Sequence, residues 1–121
     1  TVHANSADDA VVRLEGLAMS GDSSISLKAI QYQIGSAIEI IVQVSRFSDG
    51  SRRMKSISEV RGLNPDGTYN IVPIFDIGNL MRMPDGKLVG EIKPTGELPS
   101  FMEEIESNRL PFPKSKFQKA S

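Results

Sequence analysis

At 121 residues the chain has the length of one domain, and 39% hydrophobic with 24% charged side chains is the balance of a folded protein. Fourteen basic against fifteen acidic groups leave a net charge of −1, which argues against a dedicated nucleic-acid binder. No cysteine is present, which excludes disulfides, thiolate zinc sites and cysteine nucleophiles, and a single histidine excludes a multi-histidine metal centre. No apolar run approaches the roughly 20 residues that cross a bilayer, and the mixed polar opening lacks the apolar core of a signal peptide.

The first predicted element is a helix. Ser6 is placed to cap it, Asp8 and Asp9 suit the positive end of its dipole, and Ala7, Val11, Leu14 and Ala18 recur at helical spacing, with Ala10 and Leu17 alongside. Gly21 is the expected stop, before a polar loop at Asp22-Ser23-Ser24. Ser26 caps a second helix with a stripe at Leu27, Ile30, Ile34, Ala37, Ile38 and Ile41, and Gly35 within it marks a close approach. The β-branched run from Ile40 to Val44 turns the chain into a strand.

Turn chemistry dominates the next fifty residues. Ser48-Asp49-Gly50-Ser51 predicts a hairpin returning from Arg52 to Val60, and Asn64-Pro65-Asp66-Gly67 a second turn into a strand from Tyr69 to Phe75. Pro73 places that strand at an edge or a bulge. Met83-Pro84-Asp85-Gly86 leads into a fourth strand from Lys87 to Ile92, and Pro94-Thr95-Gly96 breaks the pattern. A short helix runs from Pro99 to about Asn108, with Leu98, Phe101, Met102 and Ile105 as its packing face. Two helices, antiparallel strands and a last short helix predict an α+β fold. Residues 1–108 form its body. Residues 109–121 form a basic, proline-containing flexible tail with four basic groups and no acid, against a net −5 for the rest. Such a tail is either a solvated, frayed end or a weak contact for anionic lipid.

For chemistry, His3 is the one conventional general base near neutral pH, and it immediately precedes a helix N-terminus, a setting that suits phosphate. Arg46, Arg52 and Arg53 flank the first hairpin turn and are either solvated or an anion or subunit-interface site. The only Gly-Lys pair, Gly86-Lys87, is followed by Leu88 and has Met81 where a phosphate-binding loop needs its first glycine, so it is a hairpin turn. The acids show no metal-loop spacing. Met81, Met83 and Met102 are read as core or partly exposed residues.

Thr1-Val2-His3-Ala4-Asn5-Ser6, followed by Asp9-Ala10 and Arg13-Leu14-Glu15, resembles the histidine box of the type II and type IV secretion ATPases. The likeness continues through Ile34-x-Ser36-Ala37-Ile38-x-Ile40-Ile41-Val42-Gln43, Arg46, Asp49-Gly50-Ser51-Arg52-Arg53 and Ile57-x-Glu59-Val60. Thr95-Gly96, Pro99, Phe101 and Leu110-Pro111 are similar to the C-terminal end of the same proteins, above all the CpaF/TadA tight-adherence type. The second helix departs from the pattern, with Ile30-Gln31-Tyr32-Gln33 where an arginine often precedes the glutamine.

The resemblance implies the C-terminal part of a RecA-like P-loop ATPase domain, whose Walker A and Walker B segments precede the histidine box. The parent would be a homohexamer, cytoplasmic and peripheral at the inner membrane. It would use ATP and Mg²⁺ and work on an inner-membrane platform protein of a secretion or pilus machine, and the present residues alone would be inactive. His3 matches the box histidine, with a catalytic or γ-phosphate-sensing role. Arg13, Arg46, Arg52 and Arg53 match arginines facing nucleotide or a neighbouring subunit. The competing expectation is a stand-alone, non-enzymatic assembly module that keeps the same fold.

Overall fold

A computed structural model describes residues 1–22 and 24–119; Ser23 of the expected loop and the last two residues of the basic tail lie outside the described residues. The fold is α+β. In chain order it comprises α1 (Ala7–Gly21), α2 (Leu27–Ala37), β1 (Ile40–Arg46), β2 (Arg52–Leu63), β3 (Tyr69–Asp76), β4 (Met81–Arg82), β5 (Leu88–Val89), β6 (Lys93–Pro94) and α3 (Met102–Ser107). One sheet has the strand order β1-β2-β3-β6, and β4 and β5 form a separate pair. The ladders are antiparallel. Phe47 N–H donates to Ser51 and Val60 N–H to Glu39, so numbers rise in one strand as they fall in the other. The chain divides into two compact units, Thr1–Ile41 with Ser58–Val72 and Val42–Ile57 with Pro73–Ser121, each assembled from two separated stretches.

In the first unit, local chemistry fixes both helix starts. Ser6 Oγ accepts the Asp9 N–H at 3.0 Å, and Ser26 Oγ accepts the Ala29 N–H at 3.2 Å. Val11 and Ile30 are fully buried. The apolar face of α1 is core only over its first half, because Leu17, Ala18 and Met19 are exposed, as is Leu27 at the start of α2. Helix α2 ends at Ala37, so Ile38 and Ile41 carry the helical stripe past the helix itself, into its cap and β1. At Gly35 a Cβ would lie 3.4 Å from Leu63 Cγ and 3.6 Å from the Gly62 backbone, ordinary contact distances, so the packing there does not itself demand glycine.

Strand β2 runs three residues beyond the expected Val60, to Leu63. It carries a buried carboxylate, Glu59, which accepts from Arg61 Nε at 2.8 Å on the same strand face. The turn into β3 is tied by Asp66, whose Oδ1 accepts the Thr68 N–H at 3.0 Å and the Thr68 hydroxyl at 2.6 Å.

In the second unit, the expected fourth strand from Lys87 to Ile92 is replaced by two short ones. Leu88 pairs with Arg82, while Lys93 pairs with Asp76 and Pro94 with Phe75. The chain changes partner at Gly90, where any Cβ would run into the Leu80 side chain. Pro73 is exposed and lies short of the two-residue pairing with β6, which gives its missing N–H an edge-like setting. Helix α3 begins at Met102 rather than Pro99. Residues 99–102 form a turn closed by Met102 N–H to the Pro99 carbonyl at 3.1 Å, with Pro99 buried and Leu98 exposed. Met102 is core, but Met81 and Met83 are exposed.

The described part of the basic tail is anchored. Pro111 and Pro113 exclude an α-helix, but Lys114–Phe117 forms a 3-10 turn that buries Phe117 to 4% exposure. Its ring packs 5.7 Å from that of Phe75 and 5.1 Å from that of Phe112. One aromatic residue therefore holds down a segment that charge and proline content alone present as frayed.

Candidate functional site

Residues 1–6 lead into α1 with Thr1, His3 and Asn5 exposed and Val2, Ala4 and Ser6 half-buried. His3 is exposed and makes no hydrogen bond among the described residues. The turn after it is closed: Asn5 N–H donates to Asp9 Oδ2 at 3.0 Å, and Arg13 Nε donates to the same oxygen at 3.0 Å. These bonds hold the Asp9 carboxyl below its usual range. With Ser6 and Asp9 already serving the helix start and Asp8 adding negative charge beside it, the N-terminus of α1 is not an anion cradle. The sequence suggested a phosphate setting there; the charge supplied by the first turn removes it. Arg13 is committed to Asp9, one turn away on an exposed surface.

The hairpin separates its arginines. Arg46 and Arg52 are exposed, with no side-chain hydrogen bond or ion pair among the described residues. Arg53 is engaged on every side. Its Nε donates to Ser51 Oγ at 2.9 Å, Nη1 to the Gly90 carbonyl at 3.3 Å, and Nη2 to Asp49 Oδ2 at 3.3 Å and to the Leu88 carbonyl. Asp49 is the counterpart. Its Oδ1 accepts the Ser51 N–H at 3.0 Å and hydroxyl at 2.5 Å, and its Oδ2 also accepts the Leu88 N–H at 3.0 Å. The Ser51 hydroxyl above all, then the backbone N–H groups, hold this carboxyl far below the usual range. Arg53 and Asp49 thus clamp the first hairpin turn to β5, and the cations left for a partner are Arg46 and Arg52.

Neither a protein-family model nor a curated protein matches the chain. Among the described residues, no group of three or more His, Asp or Glu side chains could hold a metal ion, and no helix is long and apolar enough to cross a membrane.

One cluster escaped the sequence. Glu15 Oε1 accepts from the Tyr69 hydroxyl at 2.7 Å and from Gln31 Nε2 at 3.1 Å. Burial, with the Glu15 carboxylate beside it, pushes the Tyr69 phenol well above its usual range. The partners stand 54 and 16 positions from Glu15. A single glutamate on a helix gives no local signal of either.

Proposed function

We propose that these residues are the C-terminal part of a secretion or pilus-assembly motor ATPase of the CpaF/TadA type, with the RecA-like catalytic fold completed by the P-loop half. One observation carries the reading. An exposed histidine stands directly before a Ser-capped helix, then comes a second capped helix, then a hairpin built on Asp49-Gly50-Ser51-Arg52-Arg53. The edge strand β1, with Ile40, Val42 and Val44 exposed, suits a sheet that continues in a larger protein. In the motor, ATP and Mg²⁺ are held by the Walker segments. His3 reports or stabilises the γ-phosphate, while Arg46 and Arg52 face nucleotide or the neighbouring subunit of a homohexamer at the inner membrane. Catalysis of this kind is positioning and charge neutralisation, so a free imidazole suffices for the part.

The test is His3→Ala in the intact protein. ATP turnover should fall about tenfold or more while nucleotide affinity changes much less. Unchanged turnover in a folded variant would remove His3 from the mechanism. No Mg-ATP binding by a protein joined to its natural upstream sequence would favour the non-enzymatic assembly module.

A further inference from the structure

The first unit carries a groove of about 310 Å³ whose walls include Asp8, Val11, Val12, Glu15, Gln31 and Tyr69. That is room for about ten waters, enough to admit side chains. Glu15 is its fixed point. Tyr69 and Gln31 orient the carboxylate through Oε1, while Oε2 takes no donor among the described residues. Asp8 adds a second negative charge, no basic side chain lines the groove, and Val12, 58% exposed, gives an apolar wall. A preoriented carboxylate beside apolar surface suits a guanidinium carried next to apolar side chains.

One stretch of this chain has that make-up. Arg109 is exposed, its guanidinium without a partner among the described residues, Leu110 is 55% exposed, and Phe112 is 41% exposed. Its backbone is fixed. Arg109 takes the left-handed conformation with φ 53°, while its N–H donates to Glu106 and that of Leu110 to Ile105. No acid lies in residues 109–121, which carry +4 against −5 for the remainder.

We infer that the Arg109–Phe112 segment of one copy docks in the Asp8–Glu15 groove of a second copy. The contact joins two different surfaces, so it propagates head to tail and closes into a ring or extends as a filament. A lipid surface is the weaker occupant. It draws on several free cations, whereas Lys114 pairs with Glu106 at 3.6 Å and the Lys119 stem lies against Gly96. The contact does not rest on the motor reading, and His3→Ala leaves it unchanged.

Sedimentation of the intact protein over a concentration series tests it. Glu15→Lys and Arg109→Glu should each weaken self-association by about tenfold or more, because like charges then meet. An equimolar mixture of the two variants should associate again, since each opposes its altered charge to the other's. Asp8→Lys, at an exposed position outside the Tyr69 contact, repeats the first arm with Glu15 and its partners left in place. A mixture that stays dissociated, or a wild type that is monomeric throughout, overturns the inference. So does Arg109→Glu losing binding to anionic phospholipid vesicles with self-association intact, which would assign the segment to a membrane.

Discussion

The carboxylates of Asp9, Asp49 and Asp66 each accept hydrogen bonds from nearby donors, and each has a pKa below the ordinary 3.8. A depressed carboxylate lends stability that is complete above its unfolded pKa and is lost as pH falls through the folded one. Tyr69 works in the other direction. Its raised pKa keeps the proton bound in the fold after the unfolded chain has released it, so stability falls as pH climbs past 10.0. Urea unfolding followed across pH should therefore show a plateau with an acid limb below roughly pH 4 and an alkaline limb above roughly pH 10. Tyr69→Phe should flatten the alkaline limb alone. At Arg109 the left-handed backbone costs a residue with a Cβ about 1 kcal/mol, so Arg109→Gly should raise stability by about that much in thermal unfolding. The same change removes the guanidinium from the proposed contact, so a more stable protein should associate less.

At the scale of elements, the packing of α2 against the end of β2 sets what Gly35 tolerates. Gly35 is buried inside a helix, where glycine costs about 1 kcal/mol against alanine. An alanine Cβ would meet Leu63 at 3.4 Å, an ordinary contact, so Gly35→Ala should be neutral or stabilising by up to about 1 kcal/mol. Gly35→Val adds two methyls against the same wall and should cost about 1–3 kcal/mol in urea unfolding. Both helix starts were legible in the sequence, because Ser6 and Ser26 act on N–H groups only three residues away. The turns were legible for the same reason, each aspartate bonding two residues ahead. The partner change at Gly90 and the burial of Phe117 were not, since each depends on a side chain ten or more positions away, Leu80 and Phe75; the delayed start of α3 comes instead from the local turn closed by Met102 N–H on the Pro99 carbonyl. The candidate site divides along the same line. His3, Arg46 and Arg52 are exposed, as polar side chains without a local partner usually are, while the commitment of Arg53 to Leu88 and Gly90 spans more than thirty residues.

For the whole molecule, the interleaving of the two units governs what happens when the chain is cut. A fragment of residues 1–72 would keep every stretch of the first unit, yet it would also carry Val42–Ile57 without the rest of the second. In that fragment Asp49 and Arg53 would still hold each other, but the Leu88 and Gly90 groups that both reach for would be gone. Limited proteolysis should then cut first between residues 42 and 57, at a hairpin that resists the same protease in the intact chain. Deletion from either end thus trims no self-contained module; each excision orphans a ribbon that belongs to the part removed.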